Sequence, residues 1–113
     1  MANQGSCDHF LSLAVTGTAA AVSNLPAYIG LMEVFNNTAA IAYLQIFWKV
    51  VGSVTPGTTV PDVVIPLPAS GGVVLPFPGE GWRTRGTDWS VCSTTTRTGA
   101  ISAATDLVIW KKN

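Results

Sequence analysis

The residues able to do acid–base or nucleophilic chemistry are few in this chain, and they are scattered. His9 is the single histidine, beside Asp8 near the N-terminus. General-base work needs an imidazole with a positioned partner and a substrate cleft, and the pair reads more simply as polar residues at the start of a strand. The six carboxylates stand singly, with Glu80 and Asp88 nearest to each other in sequence, so no paired-carboxylate machinery is spaced out. No Ser or Cys lies in a nucleophile turn. No glycine-rich loop leads from a strand into a helix, and Gly79-Glu80-Gly81 is a turn, so no nucleotide or other cofactor is expected. Cys7 and Cys92 lack CxxC spacing and a histidine cluster, which leaves no metal-ligand set; they read as two thiols packed as small hydrophobes, with a disulfide as the alternative. The chain is therefore read as a non-enzyme with no catalytic, cofactor or metal residues.

A different chemistry is available to Trp82, Arg83, Arg85 and Trp89, which bring indoles and guanidiniums together. Such groups stack on single-stranded nucleic acid or on sugars, and they also anchor desolvated protein interfaces. Six Lys+Arg balance six Asp+Glu for a formal net charge of zero. That balance excludes the basic footprint of a dedicated nucleic-acid binder and favours a protein partner. With Trp48, these four are the candidate partner-contact residues; for Trp82 and Trp89 the competing reading is that they fill the core.

The elements that must position these residues are read from composition and periodicity. A chain of 113 residues supports one cored domain and not two. Apolar residues make up 48% and charged residues 11%, against about 25% charged in an ordinary domain. Mean hydropathy is +0.39. Disorder is excluded, and so sparsely charged a surface favours association. Met1 to His9 carries no Lys or Arg, so no secretory signal is expected from the apolar stretch after it. The longest apolar run, Ala39 to Val51, is broken by Gln45 and Lys49 and is too short to span a bilayer, which needs about 20 residues.

Thirteen Val and thirteen Thr, punctuated by eleven Gly and seven Pro, give an all-β rhythm. Leu11, Leu13 and Val15 alternate with smaller residues as in a strand with one buried face. Further strands are expected at Ala19–Ser23, Tyr28–Phe35, Ala39–Val51, Val63–Ile65, Val73–Phe77, Trp89–Thr95 and Leu107–Trp110. Turns are expected at Asn36-Asn37-Thr38 and Pro56-Gly57. Both faces of Ala39–Val51 are apolar, which calls for cover on both, from the rest of the sandwich or from a partner. Pro61, Pro66 and Pro68 place their segment at a sheet edge or at strand ends, because proline has no N–H for the ladder. Gly71-Gly72 is expected to join Val63–Ile65 and Val73–Phe77 as a hairpin. About eight short antiparallel strands predict a two-sheet β-sandwich, jelly-roll-like in its simplest form.

Certain runs also resemble a known group. Asn36-Asn37-Thr38-Ala39-Ala40, Ala42 to Phe47, Gly57-Thr58-Thr59-Val60-Pro61, Val64 to Pro68, Gly71-Gly72-Val73 and Leu75-Pro76-Phe77-Pro78 are similar, in the same order, to small structural proteins of tailed bacteriophages. The resemblance covers about residues 28 to 95, with Gly81-Trp82 and Val91 to Thr96 resembling that group's closing strand. Trp82-Arg83-Thr84-Arg85 departs from it in being more basic and aromatic.

The resemblance implies a virion subunit on the capsid surface, assembled in the host cytoplasm. Its implied role is a decoration or cement protein that stabilises contacts between major capsid protein subunits, commonly as a homotrimer. Its partners would be the major capsid protein and itself, with no nucleic acid and no membrane. The alternative is a receptor- or glycan-binding module of a tail or head fibre that uses the tryptophans and arginines. Residues 1–15 form the terminal strand of the single domain, or an arm exchanged between subunits.

Overall fold

The computed structural model describes residues 9–23, 28–76, 82–83 and 89–112, with positions 9–12, 23, 28, 82–83 and 111–112 described by their backbone. Among the described residues nine strands follow in chain order: β1 (His9–Val15), β2 (Ala20–Ser23), β3 (Tyr28–Asn36), β4 (Ala42–Phe47), β5 (Val63–Leu67), β6 (Gly72–Pro76), β7 (Trp82–Arg83), β8 (Trp89–Thr94) and β9 (Thr105–Lys112). One antiparallel sheet has the order β1-β9-β3-β6, with β7 pairing β3, and the other runs β2-β8-β4-β5. Leaving aside the two-residue β7, the first strand pairs with the last, the second with the second last, the third with the third last, and the middle two form a hairpin. A ribbon folded back along its length in this way is the strand order of a double-sheet jelly roll.

The core is what the two inner faces bury between them. Ile29, Met32 and Val34 of β3 and Leu107 and Ile109 of β9 face Leu44 and Ile46 of β4 and Trp89 and Val91 of β8. Each such side chain contributes about 1.5–3 kcal/mol on leaving water. Ile29 and Met32 are three residues apart, yet both are buried. A register irregularity between Ile29 and Leu31 inserts the extra residue that brings both to one face. At the chain's start Val15 is buried and Leu13 packs against the same core, as their alternation predicts.

Two expectations are corrected. The stretch Ala39–Val51 is not one long strand: ladder pairing ends at Phe47, and Val51–Ser53 turns as a 3-10 helix. Asp62 makes the stop, because its carboxylate accepts the Trp48 N–H at 2.8 Å while its own N–H donates to the Ile46 carbonyl at 2.9 Å.

The second correction concerns the expected hairpin. β5 pairs β4, β6 pairs β3, and the link between them crosses from one sheet to the other. Asn36, fully buried at the end of β3, holds that crossing: its Nδ2 donates to the carbonyls of Ala40 (2.8 Å) and Pro68 (2.9 Å). The edge position inferred from the prolines does hold, since β5 lies at the end of its sheet.

Candidate interaction face

The two sheets treat their outer faces differently. Behind β4 and β8 the outer face is roofed by the chain's own loops. Phe47 and Cys92 are buried under Val54 and Ala19 in a small second cluster. Buried Gln45 donates from Nε2 to Thr94 Oγ1 at 2.6 Å and to the Gly99 carbonyl at 3.1 Å, tying down the 95–104 loop, and the Arg97 guanidinium lies 5.4 Å over the Tyr43 ring. The apolar outer side of β4 is thus covered from within the chain, and no partner is needed to explain it. Burial pushes the Cys92 thiol up to about 11, so this cysteine stays protonated and unreactive in the fold. Cys7 lies outside the described residues.

No such roof is described over the sheet β1-β9-β3-β6. Register sets its outward positions in three rows: Trp110, Leu31 and Pro76, opposite position 10 of β1; then Val108, Glu33 and Val74, opposite position 12; then Ala14, Asp106, Phe35 and Gly72. Phe35 and Val74 are 46% and 60% exposed, while Leu31, Val108 and Trp110 are half-buried. Two carboxylates interrupt this apolar surface. Glu33 accepts from the Trp110 indole N–H at 3.4 Å, and Asp106 accepts from Asn37 Nδ2 at 3.0 Å. A shallow hollow of about 220 Å³ opens among Glu33, Phe35, Val74, Asp106 and Val108.

Gly72 belongs to the same hollow, and its lack of a side chain matters there. A Cβ at this position would stand 3.3 Å from the Val34 carbonyl oxygen and 3.4 Å from the Phe35 ring, so glycine lets the ring lie down across the neighbouring strand. An apolar, shallow, acid-dotted surface can do one thing well, which is to bury itself against another surface.

Of the residues singled out from the sequence, the structure brings Trp48 and Trp89 together. Trp89, a candidate for partner contact, is fully buried and anchors the core; a large indole on the inner face of a central strand is the best filler available there. Trp48 is half-buried and packs on it, ring centroids 5.6 Å apart. Trp82 and Arg83 form β7, opposite Ile29 and Tyr28 of β3. Arg85 lies outside the described residues, and so does Asp8; His9 opens β1 opposite Lys111. Among the described residues no three of His, Cys, Asp and Glu come together, and no helix is long and apolar enough to cross a membrane.

The face built on Phe35, Val74, Val108 and Trp110 was missed by sequence reasoning, although its signal was present. Leu31 and Phe35 alternate with Met32 and Val34, and Val108 and Trp110 with Leu107 and Ile109, so β3 and β9 are apolar on both sides just as β4 is.

Fold and face together define a class: an antiparallel β-sandwich with one sheet covered by its own loops and the other, among the described residues, presenting an apolar surface. Compared with known proteins, the chain matches no family model, no curated protein and no solved structure.

Proposed function

We propose that this chain is a structural virion protein of the decoration or cement type, which binds the outer surface of a phage head and stabilises contacts between major capsid protein subunits. The observation that carries the adhesive part is the apolar outer face of β1-β9-β3-β6, with Phe35 and Val74 its most exposed large apolar side chains. The phage setting and the capsid partner rest on the resemblance of residues 28–95 to small virion proteins. The mechanism is adhesion: apolar area leaves water at roughly 25 cal/mol per Å², and Glu33 and Asp106 select a partner surface that brings donors or cations to them.

Four strands spaced about 4.8 Å apart, presenting three rows, give a face of about 400 Å². A standard interface buries about 800 Å² on each side, so a single face binds weakly and lasting attachment comes from many copies held together.

The test is to add purified protein to head shells that lack it and to count bound copies against the major capsid protein. Saturable binding at hundreds of copies per shell is the expected result. Failure to bind would overturn the proposal, and a handful of copies in native particles would move the protein to a tail or fibre.

A further inference from the structure

Each sheet has two edges, and three of the four edge strands carry features that discourage pairing with another chain. β5 contains Pro66 and β6 contains Pro76, neither of which has an N–H to donate. β2 is four residues long and its register breaks between Ala21 and Ser23. β1 has none of these guards. It runs seven residues, His9-Phe-Leu-Ser-Leu-Ala-Val15, with no Pro and no Lys, Arg, Asp or Glu, and its register with β9 is unbroken from end to end. Among the described residues no strand pairs its other side. A long, regular edge with no Lys, Arg, Asp or Glu is a template for strand addition.

We infer that the β1 edge is a self-association site, and that its occupant is β1 of a second copy of this chain, running antiparallel about a two-fold axis. The pairing that overlaps all seven residues sets Ser12 against Ser12, Leu11 against Leu13 and His9 against Val15. Every opposed pair then lies on the same sheet face, so core positions continue core positions across the junction. With no charge in the strand, nothing repels its own copy. The joint makes one continuous sheet of order β6-β3-β9-β1-β1-β9-β3-β6 and sets two apolar outer faces side by side, raising the continuous face from about 400 to about 800 Å², the size of a standard half-interface. This inference stands on β1 alone, holds whatever surface that face binds, and puts a two-chain particle in place of the homotrimer that the resemblance implies.

The test is the mass of the full chain in solution at micromolar concentration, by light scattering or sedimentation. Two chains per particle are expected for the wild type. Ser12→Lys, which opposes two cations at the two-fold axis, is expected to give one chain with an unchanged far-ultraviolet circular dichroism spectrum. Val60→Lys, at a loop residue 77% exposed, is expected to leave the two-chain particle intact. In a Cys7→Ser background, Ser12→Cys is expected to cross-link copy to copy when oxidised with diamide, and this decides the matter if Ser12→Lys fails to fold. A wild type of one or three chains, a Ser12→Lys variant that still pairs, or the absence of a Ser12→Cys cross-link would each overturn the inference.

Discussion

The indole of Trp48 rests against that of Trp89 with ring centroids 5.6 Å apart and planes tilted by 46°. One tryptophan lies at the rim and the other at the centre of the same cluster: Trp48 is half-buried just past the end of β4, and Trp89 is wholly enclosed at the start of β8. The contact joins the loop that leaves β4 to the core. Two residues of one type, both candidates for a partner surface, thus divide between holding the fold and edging it.

Their substitutions should separate accordingly. Trp89→Ala removes a fully buried indole and is expected to cost about 3–5 kcal/mol, a large share of a small domain's stability. Trp48→Ala, at a half-exposed position, is expected to cost about 1–2 kcal/mol. Urea titrations followed by circular dichroism measure both, and equal losses would contradict the division of roles.

Phe35 makes the opposite prediction. It is 46% exposed on the outer face, so Phe35→Lys should change stability by less than about 1 kcal/mol while placing an ammonium on the apolar surface. Binding to head shells is expected to fall at least tenfold, equivalent to about 1.4 kcal/mol. A variant that unfolds no more easily and binds as well as the wild type would remove this face from the interaction.

Cys92 predicts an alkaline limit to stability. Burial raises its thiol from 9.0 to about 11, so the unfolded chain releases this proton near 9.0 while the folded chain retains it. Below pH 9 the contribution is fully present. Between 9 and 11 the unfolded state gains by ionising alone, and stability falls as pH rises through that window. Cys92→Ala, which fits the same small cluster, should lose that part of the decline; urea midpoints for the two proteins below pH 9 and near pH 11 make the comparison.

The local elements were largely legible in the amino-acid sequence. Alternation at Leu13 and Val15, the β-branched runs and the turn residues placed strands close to β1, β2, β3, β8 and β9, and Pro66 marked β5 as an edge strand. These features are local because side chains alternate with a period of two and a proline withholds its own N–H whatever surrounds it. The end of β4 was not legible, because it depends on Asp62, fourteen residues downstream, capturing the Trp48 N–H. Nor was the β5–β6 crossing, since two short apolar runs joined by Gly71-Gly72 look the same whether they pair with each other or with strands in different sheets.

Composition and spacing by themselves determined an all-β chain of short antiparallel strands, low in charge and with little to do acid–base chemistry. Tertiary structure decided the rest. Only the strand order shows that β4's second apolar side is roofed by the chain's own loops while, among the described residues, that of β3 and β9 is not, and only packing assigns Trp89 to the core. The physical reason is the range of the forces: backbone geometry acts over two to four residues, whereas cover for an apolar face comes from whichever distant segment the fold brings against it.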